Sequence, residues 1–91
     1  MSFVEGDRVI ISQDYDWAKL ATGTIKLPPT EVTKLVSGDE AWTGVSRKVK
    51  ALKGLLTFYW VQFDEPQEDP EMEELYEAGE IESVYIKKLA Q

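Results

Sequence analysis

The stretch Leu55-Leu56-Thr57-Phe58-Tyr59-Trp60-Val61-Gln62-Phe63-Asp64 decides how this chain is read, because nothing else in it is as apolar, as aromatic or as free of breakers. Extended, it places Leu55, Tyr59, Val61 and Phe63 on one face and Leu56, Phe58 and Trp60 on the other, so both faces require cover. That is the pattern of a central strand, with Phe58 or Trp60 expected in the main core. A helix is the competing reading. Aromatic and β-branched content, Gly54 ahead of the run and the Asp64-Glu65-Pro66 break behind it favour the strand.

Around that strand, the 91 residues allow one modest core and are read as one domain, 1–91. Three Trp, four Tyr and three Phe compensate for small size, since each buries a large area. The chain has no cysteine and no histidine. This removes disulfide frameworks, thiol nucleophiles, thiolate and imidazole metal ligands and the commonest general base, so no enzyme and no cofactor are expected. Met1-Ser2-Phe3-Val4-Glu5 has neither a basic leader region nor an apolar core, and no apolar segment reaches spanning length. The expectation is a cytoplasmic, monomeric protein that does not insert into membranes. A net charge of −7 argues against general nucleic-acid binding, which requires clustered Lys and Arg.

In chain order, Gly6-Asp7-Arg8 ahead of Val9-Ile10-Ile11 predicts a turn feeding a first strand. Gln13 to Ala21 reads as a polar loop pinned down by Tyr15, Trp17 and Leu20. Thr22 to Leu27 predicts a second strand, closed by Pro28-Pro29. From Thr30 to Gly54 the signals conflict. Val32, Leu35 and Val36 fit a short helix, while Val32, Lys34 and Val36 fit a strand equally well. Trp42, Val45, Val49 and Leu52 recur at roughly helical spacing, but an extended arm over Val45 to Leu52, folded back on the central strand through Lys53-Gly54, is slightly preferred. Asp64 to Glu82 holds ten carboxylates and no basic residue. Within it, Asp69-Pro70-Glu71 resembles a helix start and Met72, Leu75 and Tyr76 an apolar stripe, so a short helix near 70–78 is expected, ending at Gly79. Ile81 to Leu89 is a last strand or turn returning to the first.

The landmarks Gly6-Asp7-Arg8-Val9, Gly23-Thr24-Ile25, Trp60-Val61-Gln62-Phe63-Asp64 and Tyr85-Ile86-Lys87-Lys88-Leu89, in that order, resemble a small SH3-like β-barrel over Phe3 to Leu27 and Leu55 to Leu89. Tyr15 and Trp17 shortly before Gly23 are similar to the SH3-like accessory subunits of photosynthetic electron-transfer complexes. The resemblance implies a mainly β fold, a barrel with an insertion at about 30–54. It implies almost nothing about function, because the insertion has no counterpart in those short barrels and the net acidity does not suit a surface for acidic ferredoxin.

Three features carry functional readings. The aromatic set Tyr15, Trp17, Trp42, Tyr59 and Trp60 could line a groove for an extended or proline-rich segment, against the plainer reading that the rings are core. Trp17, in the loop beside Asp16 and Lys19, is the ring expected to be exposed. The carboxylates Asp64, Glu65, Glu68, Asp69, Glu71, Glu73, Glu74 and Glu77 match no calcium-loop spacing and read as a solvated loop. The basic run Arg47, Lys48, Lys50 and Lys53 could meet an acidic partner or RNA, but neutralisation by the acidic segment of the same molecule is preferred. The expected function is a non-catalytic protein-binding module or accessory subunit, with Tyr15, Trp17, Trp42, Arg47, Lys48 and Lys50 meeting a protein partner. The alternative is an RNA-associated module using the basic run 47–53.

Overall fold

A computed structural model describes residues 2–89 and shows a mainly β chain whose antiparallel sheet curls into a half-barrel. The first strand, β1 (Arg8–Ile11), alternates half-buried with fully buried residues, and Val9 and Ile11 point inward. β2 (Thr22–Ile25) runs antiparallel to it, with Val9 opposite Gly23. A side chain at position 23 cannot be accommodated. Its Cβ would stand 2.5 Å from the carbonyl oxygen of Gln62 and 2.8 Å from Val61 Cγ1, so glycine is what lets β2 lie against its neighbour.

The insertion is part helical turn and part arm. Thr30–Thr33 forms one turn of helix, α1, and Gly38–Glu40 a 3-10 turn. β3 (Ser46–Ala51) then folds back on β4 (Gly54–Asp69) through the two-residue turn Leu52-Lys53, with Ala51 opposite Gly54 and Ser46 opposite Tyr59. The extended arm is therefore present, shorter than the Val45 to Leu52 expected and turning at Leu52-Lys53, one residue before the expected Lys53-Gly54.

β4 is the strand around which the rest is placed. β3 pairs with its residues Gly54 to Tyr59, and β2 with Val61 to Phe63, while β5 (Glu74–Glu82) runs along it from Phe58 to Asp69. Phe58 is opposite both Arg47 and Glu82, and Val61 is opposite both Ile25 and Gly79. It follows that β3 and β2 share one edge of β4 and β5 occupies the other. A 3-10 turn at Ser83–Tyr85 leads into β6 (Ile86–Lys88), which returns to β1 with Ile86 opposite Ile11.

The alternation along β4 separates core from surface. Tyr59, Val61 and Phe63 are buried with Val9, Ile11, Ile25, Ile81 and Ile86, whereas Leu56, Phe58 and Trp60 lie half-buried on the outer face. Burial of Phe58 or Trp60 in the main core is thus not what the fold does. One sheet curled on itself has a single enclosed face, and the other receives only local cover from Trp42, whose ring meets Trp60 edge-to-face at 6.0 Å. Phe3 closes the core near the chain start, its ring 5.1 Å from that of Tyr59 and its N–H donating to the Tyr59 hydroxyl.

Two further expectations are corrected on the acidic segment. The sequence Asp64-Glu65-Pro66 does not end the strand but marks a bulge: the register passes from Gln62 opposite Ala78 to Gln67 opposite Tyr76, setting Phe63–Pro66 against Glu77 alone. Proline, which cannot donate to a ladder, is tolerated there. The short helix near 70–78 is a hairpin. Asp69 Oδ1 accepts the Glu71 N–H at 2.9 Å and the Asp69 carbonyl that of Glu73 at 2.8 Å, and Glu73 turns the chain at φ 56°, so Glu74 lies opposite Asp69 and β5 begins. The Asp-Pro pair that can open a helix opens a turn equally well, and pairing with β4 decides between them. Met72 and Leu75 are exposed rather than forming a buried stripe.

Candidate functional site

The loop between β1 and β2 is short of glycine where its backbone would favour it. Ala18 and Leu20 both take left-handed conformations, at φ 53° and 63°, which cost non-glycine residues roughly 1–2 kcal/mol each. Backbone bonds hold the loop in place: Leu20 donates to the Ile11 carbonyl at 3.0 Å, Ser12 to that of Tyr85 at 2.8 Å. Strain of this kind, over-determined by its surroundings, is found where a loop must present a side chain.

The side chain presented is Trp17. Its ring meets Phe63 at 5.5 Å and Tyr76 at 5.8 Å, both edge-to-face, and it overlies Gly79, where a Cβ would stand 2.7 Å from Cζ2 and Cη2 of the indole. One edge of Trp17 is therefore packed on the core while the remainder borders a shallow depression of about 260 Å³. Trp60 and Tyr76 also border it, Ala78 and Gly79 line it, and Asp69 stands at its side. No lysine or arginine lines it. The Tyr76 hydroxyl donates to Glu74 at 3.0 Å, and this carboxylate raises the phenol's pKa above its ordinary value.

The other residues singled out from the sequence fall in different places. Tyr15, in the same loop, leans on Tyr85 at 4.7 Å and is half-buried, and burial pushes its phenol pKa up. Trp42 supports Trp60 from outside the depression. Arg47, its side chain only 12% exposed, donates to Glu80 at 2.6 Å and to the Glu40 carbonyl at 2.9 Å, with the Glu40 carboxylate 3.6 Å away. Of the basic run, Arg47 is neutralised within the molecule, by Glu80 of the acidic segment and by Glu40 outside it. Lys48 and Lys50 are exposed on the β3–β4 arm, beside Asp39, Glu40 and Leu55, and do not join the aromatic depression. The six residues therefore do not form one surface.

Tyr76, Asp69, Ala78 and Gly79 are not among the site residues the sequence suggests, because a helix over 70–78 turns Tyr76 and Ala78 away from each other. The signal that finds them is the period-two run Tyr76, Ala78, Glu80 joined to the small pair Ala78-Gly79.

Elsewhere, Arg8 binds Asp64 through two hydrogen bonds, at 2.7 and 2.5 Å, while the Thr22 hydroxyl donates to the same carboxylate at 2.6 Å. Arg8 first, then Thr22, lowers the Asp64 pKa from 3.8 to about 2. Among the described residues no three acidic side chains are grouped to hold a metal ion, and no helix is long and apolar enough to cross a membrane. Comparison with protein-family models, with curated proteins and with solved structures finds no match to the chain.

Proposed function

We propose that the chain is an SH3-like, non-catalytic protein-binding module or accessory subunit, and that it meets an extended segment of a protein partner at the depression between Trp17, Trp60 and Tyr76. The observation that carries this reading is three large rings left partly uncovered around a floor of two small residues. Rigid aromatic rings supply contact area without ordering flexible side chains, which is the composition of a binding hot spot. Two strands joined by a long loop, a long hairpin, a 3-10 turn and a last strand on the first support the SH3-like reading. The strained loop supports it too, because that conformation serves to hold Trp17 at the rim.

A peptide selection tests this. Peptides selected from a random library on the intact protein should bind Trp60→Leu and Tyr76→Leu at least about tenfold more weakly, with melting temperatures of the variants within a few degrees of the parent. Binding unchanged in both variants, or lost instead on Lys48→Glu, removes the depression as the site.

A further inference from the structure

We propose that the aromatic depression receives an alkylammonium group, specifically the methylated lysine side chain of a protein partner. The inference rests on the protein-binding reading above and adds the chemical class of the anchoring group.

The walls are the first ground. Trp17 and Tyr76 meet at 72°, giving two adjacent walls at a steep angle, and Trp60 also lines the depression. A cation within about 6 Å of a ring centroid is attracted by the ring's quadrupole, with tryptophan the strongest of the three aromatic types. The floor is the second. Ala78 projects no more than a methyl group and Gly79 lies under the Trp17 ring, so a compact tetrahedral head meets no large side chain beside the rings.

Charge is the third ground. Asp69 lines the depression, Glu74 is bonded to the Tyr76 hydroxyl, and the segment from Asp64 to Glu82 has no basic residue. Arg47, on the same outer face as Trp60, is engaged by Glu80 and Glu40. A bare ammonium is strongly hydrated and has three donors to satisfy, while Asp69 is the one carboxylate lining the depression and its Oδ1 also accepts the Glu71 N–H. Methylation removes those donors and much of the hydration while keeping the charge, so the rings gain what the few acceptors cannot supply.

The probe is N-acetyl-trimethyllysine methylamide, titrated into the intact isotope-labelled protein, with unmodified lysine amide and the uncharged tert-butyl isostere as controls. Saturable shifts of the Trp17 and Trp60 indole N–H signals are expected. Affinity should be about tenfold or more weaker for each control, and lost in Trp60→Leu and in Tyr76→Leu, whose folding is verified by their remaining amide spectrum. Equal binding of the tert-butyl isostere shows an apolar pocket and overturns the proposal. Equal binding of lysine amide shows simple charge attraction and overturns it as well, as does the absence of a saturable shift. Selected peptides that need Trp60 and Tyr76 but are not displaced by saturating trimethyllysine amide would remove the ammonium receptor and leave the protein-binding reading standing. Saturation by the trimethyllysine amide with peptide binding insensitive to both variants would do the reverse.

Discussion

Arg47 on β3 and Glu80 on β5 join at 2.6 Å over the outer face of β4. Arg47 lies opposite Phe58 and Glu80 opposite Trp60, so the pair runs diagonally across the strand between them. It ties the arm to the hairpin on the face that has no second layer above it. The Arg47 side chain is largely buried, and removing it leaves Glu80 and the Glu40 carbonyl without their donor. Arg47→Met should therefore cost about 2 kcal/mol and Glu80→Gln about 1 kcal/mol in urea unfolding, with the double variant less destabilised than their sum. Additive losses would show that the two side chains act independently.

Two glycines differ in what surrounds them, and their alanine variants should differ accordingly. At position 79 the obstacle is the outer edge of the Trp17 ring, which can swing away with its loop. Gly79→Ala should fold, with a loss of about 1–2 kcal/mol and a displaced Trp17 indole signal. At position 23 the obstacle is the Gln62 carbonyl of a paired strand, which cannot yield without breaking the β2–β4 ladder. Gly23→Ala should lose about 3 kcal/mol or more. The comparison of the two melting temperatures checks both.

Much of the sheet is legible in the sequence because the period-two pattern of Val9/Ile11, Gly23/Ile25 and Tyr59/Val61/Phe63, with its β-branched and aromatic content, outweighs the helical alternative. Residues 70–78 are different. Asp69-Pro70 satisfies the opening of a helix and of a turn alike, and what selects the turn is β4 continuing past Pro66 to offer β5 a partner, which is a non-local fact. The depression was hidden for the same reason: Tyr76 reaches Trp17 only once β5 is a strand. Of the rings in the aromatic set, Trp17 and Trp60 border the depression, and Trp17 is legible because a tryptophan in a polar loop has few local reasons to be there. The basic run looks like a unit in the sequence, yet alternation along β3 sends Arg47 to the outer face and Lys48 and Lys50 to the other.

Asp64 makes stability depend on pH in a defined window. Its folded-state pKa is about 2, below the ordinary 3.8, so the native state favours the ionised carboxylate. The contribution is fully present above about pH 4 and is lost as pH falls through about 2. Urea midpoints of the parent and of Asp64→Asn should differ above pH 4 and converge towards pH 2. Both partners are exposed, so the difference will be modest. Curves that stay parallel down to pH 2 would show that Arg8 and Thr22 do not hold this carboxylate in solution.

Trp60 and Val61 are neighbours on β4 with opposite duties, and one pair of variants separates them. Val61 is fully buried between Ile25 and Gly79 in the ladder, so Val61→Ala removes two methyl groups from a closed core and should cost about 2–3 kcal/mol. Trp60 faces outward, half-buried, with Trp42 on one side and the depression on the other. Trp60→Ala forfeits one edge-to-face pair and part of a ring's burial, a stability loss of about 1–2 kcal/mol. Its effect on binding is the larger one, about 2 kcal/mol or more, because a wall of the depression is gone. Val61→Ala should leave affinity per folded molecule unchanged. Melting temperature and affinity measured on both variants should therefore move in opposite order. If Trp60→Ala lowers stability more than Val61→Ala and affinity is unchanged, the outer face of β4 is structural and the depression is not where a partner binds.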